Sequence, residues 1–214
     1  MSFMPFVASW LFLWGILSIF LWNVWSLTLF TIVVCVLLMC CFTEVVVSGR
    51  RYLSSFVIFV FSEALIFVTL VLSVCWFNCA EMSKLGPWFG WPMLGTALLL
   101  SSSVTAATFH HSMGVAEGFT WLKVTIALGV LFVFLQYVEC RDCRVNLVDS
   151  AYYSASICLV GLHFLHVIIG LAALFYVLKF FEQTVTSYHP GLVVWYWHFV
   201  DYVWILVYFA VYIA

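Results

Sequence analysis

The sequence predicts an all-α, polytopic membrane protein of seven transmembrane helices, and three observations carry that prediction. First, 67% of the 214 residues are hydrophobic and 7% are charged, against roughly 25% charged in soluble domains. With a mean hydropathy of +1.21, the folded chain has too little polar surface to face water. Second, the apolar residues fall into long runs separated by short charged, Gly- or Pro-containing breaks. Third, a span needs about 20 apolar residues, so this length holds seven only with short connections and leaves no room for a soluble domain. The net charge of −2 is not a nucleic-acid-binding signature.

The first span runs over residues 6–22, and a turn at 23–26 leads to the second, 27–42. Glu44 to Arg51 is a charged break. The third span covers 53–77 and is followed by a loop, 78–92, with Glu81, Lys84 and two prolines. The fourth covers 93–109, and a Gly/Glu loop over 112–118 leads to the fifth, 120–137. The densest charge cluster, 139–149, precedes the sixth span, 150–181, which is long enough to tilt or protrude. A loop over 182–190 leads to the seventh, 192–214. The chain divides into 1–47, holding the first two spans, and 48–214, holding the other five.

Charge hardly orients the bundle. Arg50, Arg51, Lys123 and Lys179 fall on the N-terminal side and Lys84, Arg141 and Arg144 on the other, a difference too small for the positive-inside rule. Residues 1–7 lack the basic region of a signal peptide and the Arg-rich amphipathic pattern of a presequence. The expectation is insertion from the compartment where the chain is made. The richness in Phe (22), Trp (11) and Cys (8) fits a U/G-skewed organellar genome as well as a membrane protein. Cys35, Cys40, Cys41, Cys75 and Cys158 lie in apolar runs and read as small buried hydrophobes. Cys140 and Cys143 form a single CxxC in a loop without the further ligands of a zinc site, and are expected to be incidental thiols.

Ionisable groups inside a span cost about 2.5–3.5 kcal/mol each on insertion scales and usually have a partner or a function. Glu63 lies midway along the third span and Asp201 midway along the seventh. His163 and His166 share one face of the sixth by their i,i+3 spacing, and His198 and Asp201 repeat it in the seventh. His110 and His111 close the fourth. These seven residues are read as a structural polar network that fixes helix register. Proton carriage by Glu63, or bis-His haem ligation by His163 or His166 with His198, is the competing reading. Glu63 is expected within hydrogen-bonding reach of His163 or His166. Trp195, Tyr196 and Trp197 read as an interfacial aromatic belt.

Several stretches carry a family resemblance. Asp149-Ser150-Ala151-Tyr152 leads to Gly161-Leu162-His163-Phe164-Leu165-His166-Val167-Ile168-Ile169-Gly170, which resembles the D-x-x-Y and G-x-H-x-x-H-V-x-x-G pattern of cytochrome c oxidase subunit III. Trp195-Tyr196-Trp197-His198-Phe199-Val200-Asp201 resembles the same family's W-Y-W-H-F-V-D signature. Ser62-Glu63, then Ser103-Val104-Thr105 with His110-His111-Ser112, then Gly129 with Gln136-x-x-Glu139, follow the family's order. The likeness covers roughly residues 55–214. The chain departs in its shorter loop around Glu117, in the CxxC, in the shortened segment after Lys179, and in having Leu192 to Val194 where an acidic residue is usual.

The resemblance implies a 2+5 helix bundle with a V-shaped cleft that holds phospholipid. It implies a core subunit of the respiratory oxidase without catalytic residues and without haem, copper or another metal of its own. The haem and copper belong to partner subunits I and II, and accessory subunits complete the complex. Such a subunit packs on subunit I and supports proton uptake and oxygen access. Lys179, Arg50 and Arg51 are the candidate lipid-phosphate contacts. The implied location is the mitochondrial inner membrane, or else a bacterial plasma membrane. The corresponding component of a quinol oxidase or nitric oxide reductase, and a haem b membrane anchor, are the alternatives. A secondary transporter would show inverted repeats, which the sequence lacks.

Overall fold

A computed structural model describes residues 10–11, 13–18, 21, 24–26, 28–34, 36–37, 53–78, 85–113, 116–143, 145–146, 148–180 and 188–213. The chain forms two compact units, Met1–Tyr52 and Leu53–Ala214, and its ordered elements are helical. The first unit holds two helical stretches, within 10–18 and 24–37. They meet through small and aromatic side chains. Trp14 Nε1 donates to Ser26 Oγ at 3.0 Å, Ser18 and Ser26 hydroxyls pair at 2.7 Å, and Phe30 stands edge-on to Trp14.

The second unit contains α1 (Leu53–Phe77), α2 (Trp91–His111), α3 (Ala116–Asp142), α4 (Ala151–Phe180) and α5 (Tyr188–Tyr208), which ends in a π-helical turn, Phe209–Ile213. All five are long and apolar enough to cross a membrane. They are apolar around most of their circumference, as a helix needs when lipid replaces water. Pro92 occupies the first turn of α2, where its missing N–H leaves no intrahelical bond unmade.

The helices close a ring in which α1 packs on α4, α4 on α3, α3 on α2, α2 on α5 and α5 on α1, with α4 and α5 also in contact across it. The closest pair is α2 and α3, joined by a short connection that makes them antiparallel neighbours. Gly118 allows this turn, because a Cβ there would lie 2.7 Å from the Ser112 carbonyl oxygen. Of the five, α5 is the most enclosed and α1 the most open.

Lipid offers no hydrophobic drive for helices to associate, so close packing and interhelical hydrogen bonds must hold them. Trp197 of α5 supplies both. Its side chain is fully buried, and its ring lies where a Cβ on Gly129 of α3 or Gly170 of α4 would approach within 2.9 Å. Its Nε1 donates to Ser102 Oγ of α2 at 3.0 Å. Two turns further, Trp204 Nε1 donates to Thr96 Oγ1 of α2 at 3.1 Å. Tyr208 then donates to the Trp88 carbonyl at 2.9 Å. One face of α5 is thereby pinned along α2.

Helix ends differ from the apolar runs in the sequence. α2 includes His110 and His111, and α3 begins at Ala116 and continues to Asp142, so Cys140 lies in a helical turn and only Cys143 lies beyond it. A polar residue does not end a helix whose backbone bonds are already made within it. Trp195 is exposed, whereas Tyr196 and Trp197 are buried, so the aromatic triplet is only partly a belt.

Candidate functional site: an intramembrane polar network

Glu63 lies ten residues into α1, about 15 Å from its start at roughly 1.5 Å per residue, well inside this span-length apolar helix. Its Oε2 is 2.9 Å from His166 Nε2 of α4, with the two side chains 21% and 8% exposed. The other imidazole nitrogen, Nδ1, is 2.8 Å from the Leu162 carbonyl oxygen. A carbonyl only accepts, so Nδ1 carries a proton. The Glu63–His166 contact must therefore contain a further proton, either on the carboxyl or on Nε2. In either arrangement the pair has no net charge, which removes most of the cost of an ion in hydrocarbon. Phe67 stands edge-on to the His166 ring, with centroids 5.0 Å apart.

His163 does not join this pair. It is buried beside Trp204, with ring centroids 4.8 Å apart, and Phe132 packs edge-on to both rings. Its Nε2 donates to the Val200 carbonyl at 3.2 Å, so α4 is tied to the backbone of α5. His198 faces α2 instead, where its Nδ1 is hydrogen-bonded to Ser103 Oγ at 2.8 Å. Asp201 is 1% exposed. Ser103 lies beside it but is turned to His198, and neither carboxyl oxygen makes a hydrogen bond among the described residues. His110 and His111 are exposed, edge-on to one another. His110 Nε2 reaches the first turn of α5, 3.6 Å from where a Cβ on Gly191 would stand. The seven residues thus form separate contacts along α5 and α4, and only Glu63 and His166 bond each other. Among the described residues no three His, Cys, Asp or Glu side chains converge as a metal site.

Lys179 is exposed near the end of α4, while Arg50 and Arg51 lie outside the described residues. Cys140 and Cys143 are free thiols.

A further polar cluster joins α3 to the π-helical turn. Tyr212 in the π-helical turn donates to Glu139 Oε1 of α3 at 2.6 Å, and Gln136 Nε2 donates to Glu139 Oε2 at 3.3 Å. Tyr152 adds a bond to the Val211 carbonyl at 3.3 Å. Gln136 and Glu139 are visible as an i,i+3 polar pair at a span end, but their third member is 73 residues away in sequence.

The family model for cytochrome c oxidase subunit III matches residues 3–214. The chain is 35% identical over 190 residues to cytochrome c oxidase subunit 3 of Branchiostoma lanceolatum, covering 80% of this chain and 72% of that protein. It is 34% identical over 192 residues to cytochrome c oxidase subunit 3 of Ovis aries, covering 79% and 71%. With five helices suited to crossing a bilayer, this chain is an integral membrane protein of the cytochrome c oxidase subunit III family.

Proposed function

We propose that the chain acts as the non-redox third core subunit of cytochrome c oxidase, an oxidoreductase assembled from several subunits in a membrane. In this reading it packs on subunit I, leaves haem and copper to subunits I and II, and supports proton uptake and oxygen access during electron transfer from cytochrome c to oxygen. It has no catalytic residue of its own. Phospholipid is bound in the V-shaped cleft that the family resemblance implies, with Lys179, Arg50 and Arg51 as the cations for lipid phosphate. The location is the mitochondrial inner membrane.

The observation that carries the structural reading of the polar residues is the closed Glu63–His166 pair. Each group meets the other's need, and His166 is held from behind by its own helix. A proton path needs a further group to receive the proton, and the other nitrogen of His166 is bonded to a carbonyl of its own helix. The test is proton release per electron by oxidase carrying Glu63→Gln, measured from the first turnover. The reading expects assembly and first-turnover pumping to persist. Assembly with pumping abolished would place Glu63 in a proton path and end the structural reading.

A further inference from the structure

We propose that the cavity between the ends of α2, α3 and α4 binds one apolar chain carrying an ammonium head. The cavity has a volume of about 670 Å³, within the range of roughly 300–1,000 Å³ typical of small-molecule sites. Its walls are largely apolar, and they include Leu94 of α2 and Ile157, Val160 and Phe164 of α4. From Ile157 to Phe164 it runs about 10 Å along α4 at roughly 1.5 Å per residue, a depth suited to an extended alkyl chain entering from the membrane surface. A protein partner, by contrast, usually meets a broad face of about 800 Å² and not a concavity of this size.

The part of the lining that the last turns of α3 supply is polar and acidic. Glu139 and Asp142 line the cavity, and among the described residues no Lys or Arg does. Glu139 is held by two buried donors, Tyr212 and Gln136. An ionised carboxylate offers about four acceptor positions, so two bonds from behind leave it able to receive a third donor from the cavity. A carboxylate- or phosphate-headed chain would meet like charge there, whereas an ammonium head is matched.

Gly161 is a second observation at this cavity. Gly129 and Gly170 exist because a neighbouring side chain fills the space a Cβ would take, and Gly95 faces Phe132 in the same way. A Cβ on Gly161 would meet nothing within 4 Å, although this glycine sits inside α4 and lines the cavity. Glycine weakens a helix interior relative to alanine, and no packing within the chain accounts for it. A large side chain at this position would enter the cavity, which glycine leaves free.

The test is photolabelling of the purified oxidase complex with a diazirine-bearing hexadecylamine, followed by mapping of adducts by mass spectrometry. Adducts are expected in residues 85–94, 136–143 and 157–164, displaced by unlabelled hexadecylamine. Gly161→Leu, which fills free space, is expected to abolish them in an assembled complex, while Gly161→Ala leaves them largely intact. Glu139→Gln is expected to weaken binding about tenfold, the loss of a charge-assisted bond. Absence of these adducts in the wild-type complex, including occupation by a polypeptide, would overturn the proposal. So would equal labelling by the matching hexadecanoic acid probe, or undiminished labelling of Gly161→Leu.

Discussion

At the residue scale, Glu63, His166, His198 and Trp197 each have one specific hydrogen-bond partner on another helix, whereas the buried Asp201 carboxyl has none among the described residues. Glu63→Gln preserves a partner for His166 Nε2, because its side-chain amide offers both an N–H donor and a carbonyl acceptor. Glu63→Ala leaves that nitrogen without a partner in a side chain only 8% exposed. An unsatisfied buried group costs about 1–3 kcal/mol, so thermal dissociation of the subunit from detergent-purified oxidase should be eased by Glu63→Ala and nearly unchanged by Glu63→Gln. Equal destabilisation would mean that side-chain volume, not the hydrogen bond, is what matters there. The Trp197–Ser102 bond allows a cleaner separation. Ser102→Ala orphans the indole N–H, and Trp197→Phe removes that N–H while losing ring volume. A double-mutant cycle should give a favourable coupling of about 0.5–1.5 kcal/mol, read from chemical unfolding in lipid–detergent mixtures. Strict additivity would show the bond to be energetically idle.

At the element scale, the glycines distinguish packing from openness. Gly170→Ala sets a methyl 2.9 Å from the Trp197 ring, and a ring held on three sides cannot retreat, so the expected cost is about 1–3 kcal/mol. Gly161→Ala meets free space and should be neutral, or stabilising by about 0.5–1 kcal/mol. The same unfolding assay compares the two, and a reversed order would contradict the packing described. The sequence shows the five long spans well because their signal, unbroken apolar length, is the physical requirement for crossing a bilayer. Span ends are less legible. His110 and Cys140 lie on helices because a helix can continue through polar residues, so residue polarity does not mark its end. The polar positions were readable as such, since Glu63 and His166 stand out in apolar runs, and the structure sets them 2.9 Å apart. Their pairing over 103 residues depends on the rotation of two helices. Trp197 shows the same limit. In sequence it is one of three adjacent aromatics, and only the neighbouring Gly129 and Gly170 reveal that it is core.

At the scale of the whole molecule, a chain with few charges and an open outer surface has its remaining surface solvated by lipid and by other subunits. α1 is the most exposed of the five helices, and large apolar side chains such as Ile58, Phe61 and Trp76 lie on its outside. The described histidines make hydrogen bonds within the bundle or lie exposed at the end of α2. The chain separated from its complex is therefore expected to show no haem absorbance, and a Soret band that follows this polypeptide would revive the haem-anchor reading. The most direct measurement of the central claim is the composition of the complex recovered when this chain is tagged and purified in mild detergent. Co-purification is expected with a haem- and copper-bearing subunit I and a subunit II with a copper-binding domain, in equal amounts, in a preparation that oxidises cytochrome c. Recovery with the subunits of a quinol oxidase or a nitric oxide reductase, or without any haem–copper partner, would contradict it.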